Sequence, residues 1–342
     1  MDPTYPLVPI LNFVAAFLTL LPLLINPKML RNVGVTMLAI WLLSLEIIQG
    51  VDAVVWSDHA NDVAPVWCDI ASHVLIGTEV GIPACTLVLT RQLSRIARMQ
   101  NTMQSNHEVN NPTFAFLLML SDLLITIGVP VVAMSIYYVV QTCRFQIFEE
   151  YGCYSAEHIS GLTLILVKSW GITIPIVSVL FYCLFQMFLA LFRIRISEQI
   201  EDDDQEGYLI RSQYIRLLII GCLDITLALP LVIVIFVMNA EQATTLVFYP
   251  GWDAIHQDWS PRLIPSTVWR PKFWQAFDLR FNQYVTIVLA VAFFFLLGMT
   301  DEAIKKWKRA LRVAGHRRNA QDLDASKLST FAFAGEHTMQ DL

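Results

Sequence analysis

Seven long apolar runs constrain this chain more than any other feature. They cover residues 5–25, 33–56, 67–89, 113–140, 161–192, 214–238 and 277–298. Each reaches the roughly 20 residues that an α-helix needs to cross about 30 Å of hydrocarbon. A backbone in lipid has to satisfy its own N–H and C=O groups. Continuous runs of this length do so as helices, whereas barrel strands would show as half-length alternating segments. The fold expected is therefore all-α, an integral membrane bundle of seven transmembrane helices. Composition agrees, since 56% of the residues are hydrophobic and 15% charged, as in a chain whose solvent is mostly lipid.

Orientation follows from the cations. Of 23 Lys and Arg residues, 17 lie in the connections 26–32, 91–112 and 193–216 or after residue 298; four lie in the alternate segments, and Lys168 and Arg280 lie inside runs five and seven. The cation-rich side is cytoplasmic, which puts the N-terminus outside and the C-terminus inside. The first run is expected to double as the targeting signal, because the few residues before it lack a basic region. The organisation expected is a seven-helix domain over 1–300, an amphipathic membrane-surface helix over 301–318 and a short disordered cytoplasmic tail over 319–342. In the second of these, Ile304, Trp307, Leu311 and Ala314 recur at helical spacing among Lys305, Lys306, Lys308, Arg309 and Arg312, a pattern suited to an anionic inner leaflet. The acidic run Glu201, Asp202, Asp203, Asp204 and Glu206 reads as a solvated loop.

Enzyme signatures are missing: the chain has no Gly-rich phosphate loop, no His-Glu-x-x-His and no Gly-x-Ser-x-Gly. No catalytic residue, cofactor, metal or nucleic-acid partner is expected. Among six cysteines, Cys85, Cys183 and Cys222 fall within runs and read as small core residues, while Cys68, Cys143 and Cys153 lie on the outer, oxidising side. A bridge from Cys68 to Cys143 or Cys153 would pin the second outer connection over the bundle. Cys153 is preferred because it lies further from the end of the fourth run, although spacing alone leaves free thiols open.

Ionisable residues within the runs are the better functional candidates, since each is costly in lipid unless it faces the bundle interior. They are Glu46 and Asp52 in the second run, Glu79 in the third, Asp122 in the fourth, Lys168 in the fifth, Asp224 in the sixth and Arg280 in the seventh. Lys168 reads as an interhelical ion pair, a ligand contact or a snorkelling cation. Pro22, Pro83, Pro130, Pro175 and Pro230 interrupt runs one, three, four, five and six. Pro230, six residues after Asp224, is the candidate switch hinge, because its missing N–H weakens the helix there.

Local motifs carry a resemblance. Ala64-Pro65-Val66-Trp67-Cys68-Asp69-Ile70, followed by Gly77 and Val80-Gly81-Ile82-Pro83-Ala84, resembles the second-to-third-helix signature of fungal lipopeptide mating-pheromone receptors, the a-factor receptor type of class D G-protein-coupled receptors. Arg144-Phe145, Ile147, Glu149 and Gly152-Cys153 resemble that family's second outer loop, and Asn282, Tyr284-Val285-Thr286 and Phe293-Phe294-Phe295 its seventh helix. The end of helix seven departs from the family pattern, and the tail is short. Rhodopsin-type markers are missing: Thr90-Arg91-Gln92-Leu93 has no acidic-Arg-Tyr triplet, and run seven has no Asn-Pro-x-x-Tyr. The resemblance implies a plasma-membrane receptor for a farnesylated peptide pheromone, acting on a heterotrimeric G protein. The connection 239–276 holds Phe248, Tyr249, Trp252, Trp259, Trp269, Phe273 and Trp274, an aromatic surface suited to a lipid-headgroup belt or to an isoprenoid vestibule. Candidate ligand residues are Glu79, Lys168, Arg280, Trp252, Trp269 and Trp274. Candidate G-protein contacts are Arg91, Arg95 and Arg98, on successive turns, with Arg193, Arg195 and Arg216; positive-inside topology explains these cations equally well. The competing class is a seven-helix transporter or channel, which the absence of an internal repeat disfavours.

Overall fold

The structure, a computed structural model, describes residues 5–101, 112–171, 173–178 and 248–299 together with 233, 304 and 309; the side chains of residues 28, 93–101 and 112 are not included. Arg193, Arg195, Arg216 and Pro230 lie outside the described residues, as do the side chains of Arg95 and Arg98. One compact unit covers Met1–Leu297 and a second Gly298–Leu342, in which Ile304 and Arg309 are helical.

The chain is mostly helical. Among the described residues, five stretches are long and apolar enough to cross a membrane: Leu7–Ile25, Val33–Val55, Pro65–Gln92, Thr113–Tyr137 and Phe273–Gly298. The first two are α1 and α2, and the third is the N-terminal part of α3 (Pro65–Asn101). The fourth consists of α4 (Pro112–Leu123), a π-helical turn (Leu124–Gly128) and α5 (Val129–Tyr137). A short α6 (Gly161–Thr163) runs into a second π turn (Leu164–Lys168), and α9 (Phe273–Phe293) into a third (Phe294–Gly298). Between these last two spans lie α7 (Trp252–Ile255) and α8 (Ser266–Trp269).

Lipid tails are as apolar as leucine, so close packing and internal polar bonds, more than hydrophobic burial, decide how membrane helices associate. The α2–α3 seam shows both. Leu38, Leu42 and Leu45 pack on Leu75, Ile82 and Leu89. Beside them, Trp41 lies across Gly77 and Gly81, one turn apart on α3. A Cβ on Gly81 would come within 2.5 Å of the Trp41 ring and one on Gly77 within 3.1 Å, so these two glycines form the slot that admits the indole. Through that slot Trp41 Nε1 donates to the Thr126 carbonyl at 3.0 Å. Thr126 stands four residues before Pro130, whose ring nitrogen has no hydrogen to give back. The proline break in the fourth span is thus satisfied by an indole from the second.

An all-helical reading does not include the loop end of the bundle that carries residues 146–154 and 262–264. There β1 (Gln146–Phe148) pairs antiparallel with β2 (Gly152–Tyr154) and parallel with β3 (Arg262–Ile264), in the order β2-β1-β3. Water cannot reach all of this backbone, and the sheet pairs it internally. Its inward residues Phe145, Ile147 and Cys153 join the core beneath.

Candidate functional site

The sheet is the centre of a lid tied to the helices by consecutive residues of α3. Trp67 Nε1 donates to Asp52 Oδ1 at 2.6 Å, and the other oxygen of the same carboxylate accepts the Cys153 backbone N–H at 3.1 Å. Cys68 is joined to Cys153 by a disulfide. Asp69 receives the Arg144 guanidinium, with Nε at 2.8 and 3.0 Å from its two oxygens. That bond holds the Arg144 pKa above its ordinary value. Gly152 has φ +101°, and a Cβ there would run into the Asp52 side chain, so backbone conformation and space both call for glycine.

A second row of bonds joins the lid to the connection before α9. Glu149 accepts the Ser266 N–H on its carboxylate (2.6 Å) and the Trp269 indole on its backbone oxygen (3.1 Å). Glu150, buried, accepts Arg270 at 2.6 Å and lies 3.5 Å from Arg280. Arg280 also lies over the Trp269 ring, 5.7 Å from its centre. Trp269 and Arg280 are therefore committed to holding the lid. Trp252 stacks on His256 at 4.0 Å and meets Tyr138 edge-on, half exposed beside the end of α5.

Beneath the lid lies a cavity of about 500 Å³, within the usual range for ligand pockets. Phe148, Tyr154, Phe273 and Trp274 supply aromatic wall, and Glu157, His158, Lys168 and Asp278 supply the polar groups. The π turn that follows α6 ends on Lys168. Its Nζ donates to Glu157 Oε1 at 2.9 Å and reaches Glu79 Oε2, from α3, at 3.4 Å. Asn282 donates to Asp278 at 2.8 Å, and the Tyr154 hydroxyl lies against the same carboxylate. Burial, reinforced by Asp278, pushes the Tyr154 hydroxyl well above the ordinary phenol value and keeps it a donor. Burial, with Arg262 adding to it, holds the His158 imidazole below 6.5. The arrangement offers charge pairing beside flat apolar surface and no nucleophile–base pair. It can bind.

Of the six candidate ligand residues, Lys168 and Trp274 line this cavity and Glu79 enters it through Lys168. Trp252, Trp269 and Arg280 stand elsewhere. Glu157 and Asp278 are additions from the structure: Asp278 was findable as a carboxylate within an apolar run, whereas Glu157 sits in a loop where a charge draws no notice. At the other end of α3, Arg91 bonds Ser121 (2.7 Å) and is ion-paired with Asp122, which also accepts Gln92 at 3.1 Å. Arg91 thus has a structural commitment to the fourth span. No group of three or more His, Cys, Asp or Glu fit to hold a metal occurs among the described residues.

Residues 7–316 match the profile of the STE3 family, described as pheromone A receptors. A pheromone B alpha 2 receptor of Schizophyllum commune is 28% identical over 314 residues, 91% of this chain and 46% of the relative. Pheromone receptor 1 of Mycosarcoma maydis is 28% identical over 309 residues, 90% of this chain and 83% of that protein. The pheromone a factor receptor of Saccharomyces cerevisiae is 22% identical over 287 residues, 82% of this chain and 57% of the relative. The chain spans about half the length of the Schizophyllum relatives it matches. A match that runs from the first residue of α1 to beyond α9 decides membership: this chain belongs to the STE3 family of pheromone A receptors.

Proposed function

We propose that this chain is a plasma-membrane, seven-helix G-protein-coupled receptor for a prenylated peptide mating pheromone of the opposite mating type. The observation that carries the reading is the cavity under the disulfide-anchored lid, in a chain whose relatives are named as pheromone receptors. Its two kinds of wall match the two halves of such a ligand. Lys168, Glu157 and Asp278 suit the charged and polar groups of a peptide, while Phe273 and Trp274, both exposed at the head of α9, suit an isoprenoid chain arriving from the lipid. The N-terminus is outside, as the distribution of lysine and arginine requires. The seven-helix domain covers 1–300, residues 301–318 lie on the inner leaflet as a basic amphipathic helix, and 319–342 form a disordered tail. The heterotrimeric G protein docks on the cation-rich inner side, with Arg95, Arg98, Arg193, Arg195 and Arg216 as its contacts and Arg91 behind them, and Pro230 is the hinge that opens that side.

The test is nucleotide exchange on a co-expressed G protein. Pheromone peptides of the opposite mating type should accelerate exchange in a prenylation-dependent way. Ion flux without exchange would instead favour a transporter or channel.

A further inference from the structure

Where α1, α2 and α9 converge, polar side chains are buried together at membrane depth: Asn12 from α1, Glu46 and Gln49 from α2, and Gln283 and Thr286 from α9. None is more than 5% exposed, and Asn12 and Glu46 are fully enclosed. Gln49 knits two of the helices, donating to the Asn282 carbonyl at 3.3 Å and accepting the Thr286 hydroxyl at 3.0 Å. Gly50 brings in the third. A Cβ there would come within 3.4 Å of Asn12 Cβ and 3.2 Å of the Phe13 ring, so its bare backbone is what lets α1 lie against this face of α2. Glu46 is one turn further along that face, beside Thr286.

The cluster is incomplete. The Thr286 hydroxyl, beside Glu46, is within reach of two other acceptors, Gln49 Oε1 at 3.0 Å and the Gln283 carbonyl at 3.3 Å. Both carboxylate oxygens of Glu46, and both polar atoms of the Asn12 amide, have no hydrogen-bond partner among the described residues. An isolated carboxylate in a low-dielectric interior is among the most costly groups a protein can bury, and an unbonded buried amide on the adjoining helix adds to that cost. The described cations of the spans are engaged elsewhere: Lys168 with Glu157 and Glu79, Arg91 with Asp122, Arg280 with Glu150.

We infer that Glu46 and Asn12 bind a monovalent cation of sodium's class at the junction of α1, α2 and α9. Hard cations take oxygen ligands, and here the Glu46 carboxylate, Asn12 Oδ1 and the remaining lone pairs of Gln49 Oε1 and Thr286 Oγ1 are all oxygen. One negative charge balances one positive charge, whereas a divalent ion would leave a net buried charge. The Asn12 amide can give its oxygen to the ion and an N–H to the carboxylate, which satisfies both orphans at once. A bound ion would tie three helices together through a single point.

The experiment is thermal unfolding of the full receptor in lipid nanodiscs, in sodium chloride and in choline chloride at equal ionic strength and fixed pH. Sodium should raise the midpoint saturably by about 2–4 °C, because it binds the folded state alone. Glu46→Gln, which keeps the shape and removes the charge, should abolish the sodium response, and Asn12→Leu should shift the titration to higher sodium. Equal midpoints in the two salts would overturn the site. So would a midpoint that follows pH but not sodium, since a proton would then be neutralising Glu46, or a sodium response that survives Glu46→Gln. If Glu46→Gln does not fold, the Asn12→Leu titration decides: an unshifted curve places the ion elsewhere.

Discussion

The end of this protein that carries the sheet holds two sets of carboxylates in opposite ways. In the lid and at its helix anchors, Asp52, Asp69, Glu149 and Glu150 each have their own donors, from Trp67, Arg144, Ser266 and Arg270 respectively. In the cavity, Glu79 and Glu157 share the single ammonium of Lys168, and at Glu79 the contact stretches to 3.4 Å. A saturated group gains nothing from a newcomer and loses much if its partner is removed. A shared cation can exchange one carboxylate for another group at little cost. The first set is a scaffold, and the second is suited to recognition.

The largest effect should come from breaking the scaffold. Cys153→Ser removes a cross-link that contributes about 2–5 kcal/mol, and Asp52→Ala leaves the Trp67 and Cys153 N–H groups unbonded at about 1–3 kcal/mol each. Surface expression should collapse in both, with unchanged pheromone potency in whatever receptor survives. Lys168→Met should do the reverse. Its expected outcome is near-normal surface expression with pheromone potency reduced at least tenfold, a loss of about 1.4 kcal/mol in binding. A Lys168 variant that fails at the surface as the lid variants do would erase the distinction between the two regions.

Pro230→Leu, at the proposed hinge, should change basal exchange about tenfold for each 1.4 kcal/mol by which it re-weights the resting and active states. Unaltered basal and stimulated exchange at matched expression would return that proline to a purely structural role. Trp41→Phe removes the donor that compensates Pro130 and should lower thermal stability by about 1–3 kcal/mol without altering potency. The smallest effect concerns His158. Its folded-state pKa is held down, so its contribution is complete above 6.5 and declines as pH falls below 6.5 towards the lowered value. Acidification should therefore loosen the cavity slightly, and His158→Gln should flatten that dependence in a pH series of thermal midpoints.

The five spans among the described residues were legible because lipid demands length and apolarity, and both are written residue by residue. The sheet was not, since its strands are three residues each, too short for alternation to show, and their apolar side chains sit in a loop. The Trp67-Cys68-Asp69 block was recognisable as a motif before its reason was known: Cys68 and Asp69 attach directly to the lid, and Trp67 holds the Asp52 carboxylate that receives the Cys153 N–H. Lys168 and Glu79 stood out as charges within apolar runs. Aromatic density misled over Trp269, because a sequence shows how many tryptophans a connection holds and not which of them are packed inward. Trp269 is 2% exposed, whereas Trp274, five residues on, is 50% exposed and lines the cavity.

The most direct test of the account is covalent mapping of the ligand. A pheromone peptide carrying a photoreactive group on its prenyl chain would be cross-linked to the receptor in nanodiscs, and the labelled residues identified by mass spectrometry. Labelling at Phe273 and Trp274 and along 146–168, competed by unlabelled pheromone and reduced by Lys168→Met, is the expected result. Labelling that is not competed, or that is confined to the lipid-facing surfaces of α1 and α4, would contradict it.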